Sequence, residues 1–222
     1  MPKTAIILGA SGLTGGILLQ KLLQDKRYSS IKLFGRTKLE QEHEKVQQFV
    51  GDLLNLESFS SDFTGDELYC CIGTTKKKTP DEVVYRKIDF GIPVDAAQLC
   101  NRNGIKTIAI ISSVSANEKS KNFYLKTKGE MEKAVLEQEI ENTFILRPSL
   151  IVGNRGERRA GERFTIGMMK LVNPLLFGGL KKYRSIKAEK IAEAMITLAN
   201  SGNKKAIFES DEIQSLLISE SK

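Results

Sequence analysis

The sequence predicts an α/β protein, a doubly wound parallel sheet with a small lobe at its C-terminal end. Two observations lead there. Over roughly the first 150 residues, short apolar runs alternate with longer amphipathic stretches, the rhythm of βαβ units around a parallel sheet. The first apolar run also ends in a loop with three glycines that opens directly into a helical pattern.

In order along the chain, Thr4-Ala5-Ile6-Ile7-Leu8 is a short apolar run stopped by Gly9, which fits a buried strand better than a helix. From Gly15 to about Asp25, Ile17, Leu18, Leu19, Leu22 and Leu23 recur at helical spacing. Strands follow at 31–34 and 46–50. The polar segment between them holds the single histidine, His43, expected on a surface helix among Glu40, Glu42 and Glu44 rather than as a ligand. Glu67 to Ile72 is the fourth strand, stopping at Gly73-Thr74-Thr75. A helix from about Pro80 to Arg102 leads into a strand at 107–111, whose end carries Ser112 and Ser113. A helix from about Tyr124 to Gln138 leads into the strand 143–146, closed by Arg147-Pro148. Beyond Leu150 the rhythm breaks into a Gly/Arg-rich loop, an apolar stretch from Phe164 to Leu176, a turn at Gly178-Gly179 and a helix from about Ala188 to Asn200. Residues 1–148 therefore read as a core and 149–222 as a lobe packed over one edge of the sheet, within a single domain.

At 222 residues, 41% apolar and 27% charged, the chain has the size and composition of one soluble globular domain. No stretch approaches the roughly 18 apolar residues of a spanning helix, so membrane insertion is not expected. The N-terminus lacks a signal-peptide apolar region, which points to the cytoplasm. Cys70, Cys71 and Cys100 lack the spacing of zinc or dithiol sites and read as buried thiols, and no metal constellation remains. Lys and Arg outnumber Asp and Glu by 34 to 27, a net charge of +7. That suits an anionic ligand. The charge is scattered, apart from Lys76-Lys77-Lys78, Arg155 to Arg163 and Lys181-Lys182-Tyr183-Arg184, and no nucleic-acid-binding motif accompanies it, so no specific nucleic-acid partner is expected. Nothing in the composition sets an oligomeric state.

Gly9-Ala10-Ser11-Gly12-Leu13-Thr14-Gly15 sits where a dinucleotide pyrophosphate meets backbone N–H groups and the positive end of a helix. Glycines also punctuate ordinary turns, but the strand before and the helix after supply the context of a cofactor site. The second strand ends Leu33-Phe34-Gly35-Arg36, without the carboxylate that would meet the adenosine ribose of NAD. A guanidinium stands there instead, with Lys38 two residues on, which suits the extra phosphate of NADP; the plainer reading is a solvated charge. Asp52, after the third strand, is a candidate contact to adenine, with Leu53 beside it.

Tyr124 and Lys128 stand four residues apart on one face of a helix, where the cation can lower the phenol's pKa. Spacing alone says little, since Tyr28 and Lys32, and Tyr183 and Lys187, share it. Context separates Tyr124: it begins the helix after the strand ending in Ser112-Ser113, at the carboxyl edge where such sheets bind ligands. Serine, tyrosine and lysine beside a nicotinamide form a proton-transfer set for carbonyl reduction, the tyrosine giving a proton to the oxygen and the serine hydrogen-bonding it. Met168-Met169 reads as core packing or as the lining of an adaptable apolar pocket, and Arg155, Arg158, Arg159 and Arg163 as solvated charges or receivers of an anion.

Together with Cys71-Ile72-Gly73-Thr74-Thr75, Lys128-Gly129-Glu130 and Leu146-Arg147-Pro148, these motifs resemble an atypical short-chain dehydrogenase/reductase over roughly residues 4–200, and within that family the Tat-interacting oxidoreductase-like group. The resemblance implies a Rossmann-type domain with NADP (NADPH) bound across Gly9, Ser11, Gly12, Leu13, Thr14 and Gly15, and Arg36 at the 2′-phosphate. It implies Gly73 and Thr74 along the cofactor, Ser112 as a further cofactor contact, Pro148 to Leu150 near the nicotinamide, and Ser113, Tyr124 and Lys128 as the catalytic set. One departure stands out: no Asn is placed in the helix after the fourth strand to complete the catalytic tetrad, and Lys87 and Asp89 occupy that region. The expected activity is reduction of a small-molecule aldehyde or ketone, the C-terminal lobe shaping the substrate side. The competing class is a regulatory protein that reads the redox state of NADP(H) and acts through protein partners, and a third is a basic nucleic-acid-associated protein.

Overall fold

The computed structural model describes residues 2–153, 173 and 176–216. Its strands are β1 (Lys3–Leu8), β2 (Tyr28–Gly35), β3 (Val46–Val50), β4 (Glu67–Cys70), β5 (Thr107–Ile111), β6 (Asn142–Arg147), β7 (Ile151–Val152), β8 (Ile186–Lys187) and β9 (Ile207–Glu209). Its helices are α1 (Leu13–Gln24), α2 (Glu82–Arg86), α3 (Ile92–Arg102), α4 (Phe123–Leu136), α5 (Ala188–Ala199) and α6 (Ser210–Ser215). Seven strands pair in the order β3-β2-β1-β4-β5-β6-β9, every pair parallel. The order reverses between β1 and β4, which opens the crevice where Rossmann sheets hold their ligands.

Successive residues of a strand face opposite sides, so a strand covered on both must be apolar throughout. In β1, Ala5 and Ile7 join the cluster that includes Leu18 and Leu22 of α1 and Ile191 and Met195 of α5. Ile6 and Leu8 point the other way, into a second cluster with Leu99 of α3 and Met131 and Val135 of α4. Ala109 and its neighbours Ile108 and Ile110 repeat the division in β5. The uninterrupted apolar run at 4–8 is thus the signature of a central strand.

The observed elements differ from the sequence expectations in five places. The segment 36–45 is irregular, not helical, and His43 lies exposed in it, its Nδ1 accepting from the backbone N–H of Lys45 at 3.1 Å. The strand expected to reach Ile72 leaves the sheet after Cys70. The helix expected over 80–102 begins at Glu82 and passes through a π turn at Lys87–Gly91. A 3₁₀ turn at Leu53–Phe59, not foreseen, follows β3. Finally, residues after 148 do not all stand apart: α5 packs on α1, and β9 extends the sheet by pairing Ile145, Leu146 and Arg147 with Ile207, Phe208 and Glu209. A three-residue strand carries too little periodicity to be read from sequence. Only the β7–β8 pair and a 3₁₀ turn at Gly178–Tyr183 lie outside the sheet and its covering helices in the described part of that segment.

At the amino edge, Glu67 is 1% exposed. Its carboxylate accepts from the hydroxyls of Tyr28 at 2.6 Å and Tyr69 at 2.5 Å and from Lys3 Nζ at 2.5 Å, while Asn200 Nδ2 donates to the Tyr28 oxygen at 2.8 Å. A buried carboxylate persists only with such donors, and here they tie β1, β2, β4 and the end of α5 together.

Candidate active site

The glycine loop joins β1 to α1 at the carboxyl edge. Gly9 has φ +88°, and a Cβ there would lie 2.8 Å from the carbonyl oxygen of Cys71, so only glycine fits. Gly12 is the N-cap of α1 and its N–H donates to the carbonyl of Gly9 at 3.0 Å. No side chain caps that helix and its first turn carries no acid, so its leading N–H groups face a position suited to an anion. Ser11 and Gly12 are exposed there, Leu13 is half-buried, and Thr14 and Gly15 are buried beneath.

Beside the loop, a cleft of about 350 Å³ is lined by Gly9, Ser11, Arg36, Gln48, Leu53 and Ile72, among others, with the stacked Phe34 and Phe49 rings at its wall. No lining residue is acidic, and Arg36 is exposed at the rim. Asp52 is exposed just outside the lining residues, and its Oδ1 accepts from Leu54 N at 3.0 Å as the cap of the 3₁₀ turn. Its neighbour Leu53 lines the cleft.

On the other side of the crevice, Asn122 caps α4 by accepting from Leu125 N at 3.1 Å, which sets Tyr124 half-buried in the first turn and Lys128 buried one turn on. Lys128 Nζ lies 3.0 Å from Asp89 Oδ1, and Asp89 Oδ2 accepts the backbone N–H of Thr74 at 2.8 Å. Gly73 is exposed and Thr74 half-buried, and the Thr74 carbonyl receives the Tyr85 hydroxyl at 3.3 Å. Burial pulls Lys128 down most strongly of any single effect, but the Asp89 charge and hydrogen bond together with Tyr124 outweigh it, so the ammonium is held above the ordinary lysine value. Asp89 and Tyr85 were not foreseen as site residues; the signal was there, since Asp89 occupies the region where the family places Asn.

Ser113, 8% exposed, follows β5, and its hydroxyl makes one long bond of 3.3 Å to the carbonyl of Val114, which leaves it free to turn toward a ligand. Ser112 does not share that freedom. Its hydroxyl donates to Glu132 at 2.5 Å, and Glu132 is gripped in two-pronged fashion by Arg147, which also reaches Glu209 at 3.0 Å. The side chain of Ser112 is therefore a brace between β5, α4, β6 and β9. Pro148 is buried next to this brace and Leu150 is exposed beyond it. Met168, Met169 and Arg155 to Arg163 lie outside the described residues. Among the described residues no group of three His, Cys, Asp or Glu side chains could hold a metal, and no helix is long and apolar enough to cross a membrane.

A family model described as NAD(P)H-binding matches residues 9–201. Protein HTATIP2 of Rattus norvegicus is 35% identical over 164 residues, which cover 72% of this chain and 67% of that one. The chain belongs to the atypical short-chain dehydrogenases/reductases. A further relative, the mitochondrial protein FMP52 of Debaryomyces hansenii, is 30% identical over 203 residues, 89% of this chain and 88% of that one. Among solved structures, a UDP-glucose 4-epimerase of Thermotoga maritima with UDP-glucose superposes with a TM-score of 0.70 at 14% identity, covering 97% of this chain and 82% of that one. A short-chain dehydrogenase/reductase of Veillonella parvula gives 0.62, also at 14% identity, over 92% and 89%. At such identities these two attest the Rossmann fold alone, whereas the sequence relatives place this short-chain dehydrogenase/reductase in an oxidoreductase-like, NAD(P)-binding family.

Proposed function

We propose that this short-chain dehydrogenase/reductase reduces an aldehyde or ketone with NADPH. The supporting observation is the buried Lys128 ammonium, paired with Asp89 and carried on the same helical face as Tyr124 at the carboxyl edge of the sheet. The glycine loop fits a pyrophosphate: its Gly9 turn has no room for a Cβ and its helix end lacks a side-chain cap. Gly9, Ser11, Gly12, Leu13, Thr14 and Gly15 would hold the pyrophosphate, Leu53 and Arg36 the adenosine half, and Gly73, Thr74, Lys128 and the Pro148 to Leu150 segment the nicotinamide half. With no acid lining the cleft and a guanidinium at its rim, the 2′-phosphate of NADP suits it better than the bare ribose of NAD.

When bound, the reduced nicotinamide supplies hydride to the carbonyl carbon. Tyr124 gives its hydroxyl proton to the carbonyl oxygen, Ser113 hydrogen-bonds that oxygen, and the Lys128 ammonium stabilises the phenolate left behind until a solvent proton restores it. A panel of aldehydes and ketones tests this. Tyr124→Phe should lose about 10²–10⁴-fold in rate while its NADPH affinity by calorimetry, chosen because the chain has no Trp, stays within twofold of the parent, about the scatter of the method. Turnover that survives Tyr124→Phe overturns the proton-donor role. A second reading, an NADP(H)-binding regulatory protein acting through partners, is favoured by the lack of an Asn in the helix after β4, where Lys87 and Asp89 stand instead. NADPH binding without turnover on any carbonyl would decide for it. Three unpaired cysteines suit a reducing compartment; the cytoplasm is the proposed location, and cell fractionation checks it against the mitochondrial names of the fungal relatives.

A further inference from the structure

Asp89 lies in the π turn that interrupts the helix between α2 and α3, a geometry that turns the side chain inward and leaves it 1% exposed. Its two oxygens meet two partners, Lys128 Nζ at 3.0 Å and the Thr74 backbone N–H at 2.8 Å. Both partners are donors. A carboxylate accepts on both sides, whereas the amide of Asn would turn its NH₂ group on one of them. Among the described residues, no other carboxylate lies within ion-pair reach of Lys128.

We propose that Asp89 is a positioning residue of the cofactor site, which keeps the buried Lys128 in its ammonium form and ties α4 to the Gly73–Thr74 turn. Its role presupposes the reading above, in which Lys128 helps to hold the nicotinamide half of the cofactor. A buried ammonium without a counter-charge gives up its proton, because burial penalises the charged form alone. The other titratable groups facing this pair are Tyr85 from α2, Cys70 from β4 and Tyr124 on α4 itself. Burial, aided by the Asp89 charge, pushes Tyr85 above its ordinary value, and burial raises the Cys70 thiol to about 11, so neither of these two can replace the carboxylate near neutral pH.

The test is the pH dependence of NADPH binding, read by calorimetry on the parent and on Asp89→Asn. The ratio of variant to parent Kd should grow about 10–100-fold between about pH 6.5 and 9.5, as Lys128 of the variant loses its proton and with it a charge-assisted contact. A ratio that stays constant across that range, whether at unity or at a fixed deficit, overturns the proposal. Should Asp89→Asn fail to fold, lysine side-chain NMR of the parent without cofactor decides: the Lys128 signal, assigned by its loss in Lys128→Arg, should titrate above the surface lysines, and titration below them overturns the proposal. If the parent binds no NADPH, the cofactor reading falls, and the same NMR titration still judges the Asp89–Lys128 pair on its own.

Discussion

Three tyrosines stand four residues before a lysine, and their surroundings divide them. Tyr124 opens α4 at the carboxyl edge, and Tyr183 is 38% exposed, its hydroxyl 3.4 Å from that of Ser115. Tyr28 lies at the opposite, amino edge, where burial and the Glu67 charge hold its hydroxyl neutral, above the ordinary tyrosine value. Removing that hydroxyl deprives a buried carboxylate of one of its donors and Asn200 of one of its two acceptors, the Ile196 carbonyl remaining, a loss of about 1–3 kcal/mol. Tyr28→Phe is therefore expected to melt several degrees lower, at about 2–4 °C per kcal/mol for a chain of this size, with kcat and KM of the folded protein unchanged. An unchanged melting temperature in a calorimetric scan would show that Glu67 does not depend on this donor.

At the scale of elements, α4 and the loop after β5 have to meet closely for Ser113 to stand near Tyr124. Asn117 N donates to the Leu125 carbonyl at 3.0 Å, and a Cβ on Gly129 would come within 2.2 Å of the backbone nitrogen of Glu118. Two effects oppose each other in Gly129→Ala. Alanine in a helix interior is favoured over glycine by about 1 kcal/mol. The new methyl, however, runs into backbone, which cannot swing aside as a side-chain end can, and overpacking of that kind costs about 1–3 kcal/mol or more. The clash should win. Gly129→Ala is expected to lower both the melting temperature and the rate of carbonyl reduction, with NADPH affinity less affected because the cofactor contacts proposed for the glycine loop and β2 lie across the crevice. A more stable, fully active variant would mean that the loop moves without consequence for Ser113.

For the whole molecule, the proposed cofactor site draws on β1, β2, β4, α1 and α4, so it exists only when the sheet is assembled, and a ligand bound there stabilises the entire fold. At a free concentration of 100 times Kd the gain is about 2.7 kcal/mol, or a rise of roughly 5–10 °C in melting temperature. NADPH should produce that shift at lower concentration than NADH, because only NADPH brings the phosphate that the Arg36 guanidinium can grip. The difference between the two should vanish in Arg36→Ala. Equal shifts in the parent protein would remove Arg36 as the selector.

Short-range pattern was enough for much of this protein. The apolar run at 4–8, the glycines that let the chain turn at Gly9, and the helical recurrence from Ile17 to Leu23 each depend on neighbours within a few residues, so the sequence alone determined the parallel α/β sheet and the position of its glycine loop. The order of Ser113, Tyr124 and Lys128 along the chain likewise marks one edge of the proposed site. What the tertiary structure decided were the partnerships of polar groups distant in sequence. Asp89 reads as one more charge in a helix until the π turn delivers it to Lys128. Ser112 reads as a twin of Ser113 until Glu132 and Arg147 claim its hydroxyl. And β9 is too short to announce itself before β6 offers it a ladder. Each partner alone looks like a solvated group; burial makes the pairing obligatory, because a polar group withdrawn from water must find its hydrogen bonds within the fold.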